Sequence, residues 1–151
     1  MSEINQIASK IIKCFERGGK LLICGNGGSN CQASHLAGEL IGRFEHERQG
    51  LPAISLNDPG IITAIANDYS FEMVFSRQVQ ALGKPNDILI VLSTSGKSQN
   101  CLRAIEKARE MSIEVIEWPI SGETTAETQE IQLVDIHEVV REVEKDFLYD
   151  R

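Results

Sequence analysis

Leu21-Leu22-Ile23-Cys24-Gly25-Asn26-Gly27-Gly28-Ser29, running into Asn30-Cys31-Gln32-Ala33-Ser34-His35-Leu36-Ala37-Gly38-Glu39-Leu40, reads as a strand, a turn and a helix. Leu21 to Ile23 is a short apolar run bounded by Gly25, the pattern of an inner parallel strand buried on both faces. Three glycines in four residues let the backbone turn sharply and come close to a ligand, because no Cβ intervenes. Ser29 or Asn30 is placed to cap the helix that follows, whose free N–H groups and dipole favour an anion. Alone, Gly-Asn-Gly-Gly-Ser is a weak signal, since any tight strand-to-helix turn calls for glycine. The rest of the chain gives it weight.

Upstream, Ile4, Ile7, Ala8, Ile11, Ile12 and Phe15 recur at three and four, the stripe of an amphipathic helix. Ser2 is its cap and Gly18-Gly19 its end. Downstream, the second helix is expected over about 30–44. Ala33, Leu36, Ala37, Leu40, Ile41 and Phe44 face the core, beside a polar line of Gln32, His35, Glu39 and Arg43.

Ala53 to Leu56 is a second strand, followed by the turn Asn57-Asp58-Pro59-Gly60 and a short helix over 61–66. Phe71, Val74, Phe75, Val79 and Leu82 mark one further helix, ended near Gly83. Asp87 to Leu92 is the clearest strand. It enters Ser93-Thr94-Ser95-Gly96-Lys97-Ser98 and then a helix marked by Leu102, Ile105, Ala108 and Met111. Ile113 to Ile116 is the last strand. A long helix closes the chain from about Thr125, with Thr124 and Glu127 spaced as a capping box. Strands alternating with helices predict an α/β fold, a three-layer α/β/α sandwich with a mainly parallel sheet and a final long helix. Such sheets bind ligands beyond the carboxyl ends of their strands, where both glycine-containing loops belong.

At 151 residues the chain is read as one domain over 1–151. Its net charge of −7, with no basic stripe, argues against nucleic acid. No apolar run approaches the ~20 residues of a membrane span, and Met1 to Ser9 lacks a signal peptide's pattern. A cytoplasmic protein is expected. Cys14, Cys24, Cys31 and Cys101 have no Cys-x-x-Cys spacing, so buried free thiols in a reducing compartment are the expected state.

Ser93, Thr94, Ser95 and Ser98 put four hydroxyls around one glycine at a helix start. Hydroxyls, backbone donors and the helix dipole make an uncharged cradle for phosphate, more than one cap requires. The spacing is not that of a Walker loop. His35 and Glu39, four apart on a helix, are neighbours. They suit a general acid/base pair or two ligands of a divalent metal, and equally a plain surface pair. Gln129 and His137 lie eight apart on the last helix, about 12 Å along its axis, with Glu130 and Asp135 adding carboxylates nearby. One small site takes both only if their side chains lean together or two chains contribute. His46, in Glu45-His46-Glu47-Arg48, reads as a solvated charged loop without a role.

With these residues in place, the chain resembles a sugar isomerase (SIS) domain, specifically the phosphoheptose isomerase family. The resemblance is carried by Cys-Gly-Asn-Gly-Gly-Ser (24–29), His-Leu-Ala-Gly-Glu-Leu-Ile-Gly-Arg-Phe (35–44), Leu-Pro-Ala-Ile-Ser-Leu (51–56), Ala-Asn-Asp (66–68) and Val-Phe-Ser-Arg-Gln-Val (74–79). It continues through Leu-Ser-Thr-Ser-Gly-Lys-Ser (92–98) and resumes at Thr-Gln-Glu-Ile-Gln-Leu-Val-Asp-Ile-His (128–137). It implies conversion of sedoheptulose 7-phosphate to glycero-manno-heptose 7-phosphate, in heptose biosynthesis for lipopolysaccharide core or other surface glycans. Glu39 matches the family's catalytic base and His137 its catalytic acid. His35, Glu39, Gln129 and His137 match residues that bind zinc, one ion per subunit. Ser93, Thr94, Ser95 and Ser98 match the phosphate loop. Asn26, Gly27, Ser29, Arg43, Asn67, Asp68 and Gln129 match positions at the sugar. A homotetramer with active sites shared between subunits is also implied.

The chain departs from the family in three places. Members carry a helix ahead of the segment starting at Met1, and a longer connection where Glu117 to Glu123 stands here. Ala126 occupies the position of a family Asp.

Two rivals share the motifs. One is a non-catalytic SIS protein, such as the family's replication-initiator-binding relative, which lacks the acid/base pair that Glu39 and His137 keep here. The other is a domain sensing a sugar phosphate without turnover. A dinucleotide binder is disfavoured, because Gly-x-Gly-x-x-Gly is not met after Gly25 and no acidic residue ends the second strand.

Overall fold

The computed structural model describes residues 1–149. In chain order the elements are α1 (Glu3–Glu16), β1 (Leu21–Cys24), α2 (Gly28–Ile41), β2 (Ala53–Ser55), α3 (Pro59–Asp68), a 3-10 turn (Phe71–Met73), α4 (Ser76–Leu82), β3 (Ile88–Val91), α5 (Gln99–Glu110), β4 (Glu114–Glu117) and α6 (Thr125–Lys145). The four strands are all parallel, in the order β2-β1-β3-β4.

Strand alternation sorts the core into two halves. Leu21 and Ile23 of β1 and Ile88 and Ile90 of β3 point to one face, where α1, α2 and α6 cover them. Leu22, Cys24, Leu89 and Val91 point to the other, under α3, α4 and α5. The expected three-layer α/β/α arrangement follows, with β1 and β3 buried throughout.

The strand order also locates a ligand crevice. From β1 the chain crosses through α2 to β2 on one side, while from β3 it crosses through α5 to β4 on the other. The adjacent β1 and β3 therefore form the topological switch point, and the loops leaving their carboxyl ends diverge to opposite faces. Those loops are 25–27 and 92–98.

Several local expectations are corrected. The second helix runs from Gly28 to Ile41, not 30–44. Gly27 occupies its N-cap with φ 58°, so the chain turns before Ser29 or Asn30 can cap it. Asn30 instead donates through Nδ2 to the Gly25 carbonyl at 3.0 Å. The stretch from Phe71 to Leu82 is a 3-10 turn followed by α4 rather than one helix. Its adjacent Val74 and Phe75 are both fully buried, which one helical face does not allow easily. In α5 the buried line is Cys101, Ala104, Ile105 and Ala108, which leaves Leu102 exposed. Thr124 Oγ1 does cap α6 at the Glu127 N–H, but the Glu127 carboxylate takes the N–H of Glu123 rather than of Thr124. All four cysteines are free; Cys14, Cys24 and Cys101 are buried, whereas Cys31 is exposed.

The largest correction concerns the loop after α2, read as solvated. Arg48 and Glu144 are a buried ion pair, 3.1 Å apart, with side chains 0% and 1% exposed. Arg48 also donates to the carbonyls of Glu39, Leu40 and Gly42, closing the end of α2. The Glu144 carboxylate accepts from the N–H groups of Phe44, Glu45 and His46, and the His46 ring lies 3.1 Å from it. One carboxylate on α6 thus folds the whole loop.

Candidate active site

The Ser93–Ser98 loop is built by its own hydroxyls. Ser93 Oγ accepts from the N–H groups of Ser95 and Gly96 at 3.3 and 2.9 Å, and Ser95 Oγ accepts from Lys97 at 3.1 Å. Each hydroxyl spends lone pairs on the turn and keeps its proton free to donate. Ser98 is the N-cap residue of α5, yet its side chain makes no capping bond. Its hydroxyl and the first N–H groups of α5 stay available, as an anion requires. Thr94 is half-buried beside them. Gln132, fully buried on α6, donates through Nε2 to the carbonyls of Ser93 and Pro119 at 2.9 and 3.0 Å and ties the loop to that helix.

The glycine turn faces this loop across the switch point. A Cβ at Gly25 would come within 2.8 Å of the Leu92 carbonyl oxygen, so the two loops approach at backbone distance there. Asn26, Gly27, Ser98 and Asn100 line a shared open cleft of about 400 Å³, with Phe71 and Glu72 at its side. Ser29 is buried in the first turn of α2. The Cys24 and Cys101 thiols are neighbours in the core, both buried. The Cys101 sulfur, helped by burial, pushes the Cys24 thiol well up, and Cys24 in turn pulls the Cys101 thiol down.

A second constellation lies between α2 and α6. Glu39 Oε1 is 2.6 Å from His35 Nε2 and 3.2 Å from His137 Nε2, and the two imidazole nitrogens are 3.0 Å apart. His35 and Glu39 meet because they are one helical turn apart. His137 joins them because α2 and α6 pack side by side. Phe44, just past α2, stacks on the His137 ring with centroids 5.2 Å apart, and Arg141 lies over its ring. The Glu39 side chain is 15% exposed, and its Oε2 is buried with no hydrogen-bond partner. A carboxylate oxygen left so, beside two imidazole nitrogens facing each other, is a donor set that suits a divalent cation. It equally suits a base flanked by two proton carriers.

Other expected site residues stand apart. The Gln129 side chain rests on Gly28 at the first turn of α2, and the Gln129 main-chain carbonyl accepts from Gln32 Nε2 at 2.7 Å. Arg43 is exposed, 3.9 Å from Glu47. Asn67 and Asp68 are exposed at the end of α3, bonded to each other. None of these lines the cleft of Asn26 and Ser98. Sequence reasoning missed Asn100, Gln132, Phe44 in its stacking role and the Arg48–Glu144 pair. Only the polarity of Asn100 and Gln132 on otherwise apolar helix faces hinted at any of them.

The chain is similar to known proteins. A sequence profile described as SIS domain matches residues 1–117. A phosphoheptose isomerase of Fusobacterium nucleatum is 41% identical over 159 aligned positions, covering 95% of this chain and 82% of that protein. The chain belongs to the phosphoheptose isomerase family of SIS domains. A second relative, the phosphoheptose isomerase of Helicobacter pylori, is 43% identical over 97% of this chain and 85% of its own. Among solved structures, a phosphoheptose isomerase from Francisella tularensis superimposes with a TM-score of 0.90 at 36% identity, over 94% of this chain and 85% of that one. The enzyme from Neisseria gonorrhoeae gives 0.87 at 34% identity, with the same coverage. The Fusobacterium alignment is longer than the 151-residue chain, so that phosphoheptose isomerase has residues with no counterpart here.

Proposed function

We propose that this protein is an aldose–ketose isomerase that converts sedoheptulose 7-phosphate to glycero-manno-heptose 7-phosphate, supplying heptose for bacterial lipopolysaccharide core or surface glycan. The observation that carries this reading is Glu39 held between His35 and His137 in a chain that also has a hydroxyl-lined anion cradle. A non-catalytic sugar-phosphate module has no need of that cluster.

The chemistry uses these residue types directly. Glu39 takes a proton from C1 of the ketose while His137 protonates the carbonyl oxygen at C2, giving an enediol. His137 then accepts the proton of the C1 hydroxyl, and Glu39, its proton exchanged with solvent through the adjacent imidazoles, protonates C2, giving the aldose. Ser93, Thr94, Ser95 and Ser98 hold the phosphate, while Asn26, Gly27, Ser29, Arg43, Asn67, Asp68 and Gln129 serve the sugar. His35, Glu39 and His137 would hold one zinc ion, with Gln129 proposed as the fourth donor. When bound, zinc is a Lewis acid that polarises the sugar oxygens.

Distance supports the proposed assembly. Glu39 lies eleven residues beyond Gly28, about 16 Å along α2, at the far end of that helix from the glycine turn. Val134, 57% exposed one turn before His137, offers an apolar contact beside the cluster. A homotetramer with each site completed by a neighbouring subunit joins the two halves. Mixing Glu39→Gln protein with Ser98→Ala protein, after joint unfolding and refolding, is then expected to restore part of the activity that each lacks alone. No recovery would place both halves in one chain.

The compartment proposed is the cytosol, in keeping with four free cysteines; among the described residues no helix is long and apolar enough to cross a membrane. The test is an NMR time course with sedoheptulose 7-phosphate, run with zinc and with a chelator. Aldose phosphate that forms faster with zinc is expected, together with a zinc-induced rise in melting temperature that Glu39→Gln removes. Binding without conversion would leave a sugar-phosphate sensor.

A further inference from the structure

Asn100 is only 2% exposed in the first turn of α5, an unusual place for a carboxamide. It and Asn26 bond to each other twice. Asn26 Nδ2 donates to Asn100 Oδ1 at 2.8 Å, and Asn100 Nδ2 donates to Asn26 Oδ1 at 2.9 Å. Asn26 Nδ2 also meets Cys101 Sγ at 3.7 Å. A primary amide has two N–H donors and two oxygen lone pairs. Both donors of Asn26 are therefore engaged, and so is one lone pair. What remains open is one acceptor position on Oδ1, on a residue that lines the cleft. An acceptor cannot hold an anion, but it can take a hydrogen bond from a hydroxyl.

We propose that Asn100 is a positioning residue that locks the Asn26 carboxamide, so that Asn26 accepts a hydrogen bond from a sugar hydroxyl and takes no part in binding the phosphate. This rests on the sugar-phosphate reading above and specifies how that site divides its labour. The pair bridges the loop after β1 and the helix after β3, so one bidentate contact sets the polyol-binding group against the phosphate cradle. Burial of the Asn100 amide is offset by this pair, and a side chain of similar volume without it would leave Asn26 free to rotate.

The test is calorimetric titration of the full chain with sedoheptulose 7-phosphate and, separately, with inorganic phosphate. It uses wild type, Asn100→Ala, Asn26→Ala and the double variant. Asn100→Ala is expected to weaken the sugar phosphate about tenfold, with inorganic phosphate changed less than about threefold. The double variant should bind the sugar phosphate no worse than Asn26→Ala alone, because one residue acts through the other. In turnover the loss should fall on KM. Asn100→Ser, with melting temperatures for all variants, replaces Asn100→Ala if the latter does not fold. Equal weakening of both ligands, additive losses or an unchanged sugar-phosphate affinity would each overturn the proposal. So would a wild type that binds the sugar phosphate no better than phosphate. Tight binding without conversion would remove the isomerase reading and leave the affinity ratio to decide this one.

Discussion

Glu39→Gln and His137→Ala are each expected to lower turnover of sedoheptulose 7-phosphate by roughly 10²–10⁴-fold, the range of a lost general base or acid. Gln keeps the size of Glu39 and its contact with His35 but cannot take a carbon-bound proton. His137→Ala removes the ring 3.2 Å from Glu39 Oε1 and leaves the phosphate cradle untouched. Binding of inorganic phosphate should therefore stay within about threefold of wild type while kcat collapses, the signature of a group acting on the transition state. Steady-state kinetics beside phosphate titration separate the two effects. Full activity in either variant would end the acid/base assignment. A rise in KM with kcat kept would make these residues ligands of the substrate only.

The second large effect is on stability. Arg48→Leu and Glu144→Leu each leave one buried charge without its partner, a loss of about 3–5 kcal/mol. For a chain of this length that lowers the melting temperature by about 10 °C. The double variant should lose less than the sum, because the stranded charge is gone. It should not recover fully, since the N–H groups of Phe44, Glu45 and His46 and the last carbonyls of α2 lose their partners as well.

The Glu144 carboxylate also sets an acid limit. Burial would raise the Glu144 carboxyl, but the N–H groups of Phe44, Glu45 and His46 and the His46 ring outweigh it and hold it below the ordinary 4.5. A carboxyl depressed in the folded state stabilises fully above its unfolded pKa, and that stabilisation is lost as pH falls through the folded value. Wild type should therefore lose melting temperature below about pH 4.5 more steeply than Glu144→Leu does. Thermal melts across pH 3–7 check this; parallel profiles would contradict it. Because Arg48 closes α2 next to Glu39 and Glu144 holds the loop of Phe44, these variants should also loosen the His35–Glu39–His137 cluster.

What could be read in advance follows the range of the forces involved. β1, β3 and their loops were legible because apolar runs, glycine and hydroxyls act locally, and the switch-point crevice follows from their order. His35 and Glu39 were legible as a pair by helical spacing, whereas the arrival of His137 depends on α2 lying beside α6. Gly27 as the α2 cap turns on one positive φ that a glycine-rich run allows at several places. Arg48 and Glu144 look like two more surface charges, since ninety-six residues separate partners that only the fold brings together. For Asn100 and Gln132 only their polarity hinted at a role, because each bonds a loop that is distant in sequence.

The most direct test of the account is the conversion of sedoheptulose 7-phosphate in deuterium oxide, followed by NMR. The His35 and His137 side chains are 43% and 36% exposed, so a proton carried by the cluster meets solvent during the reaction. Transfer through Glu39 and an enediol predicts aldose phosphate with deuterium at C2, and a Glu39→Gln protein that forms none. Aldose that retains all its hydrogen at C2, or forms at the wild-type rate without Glu39, would contradict it.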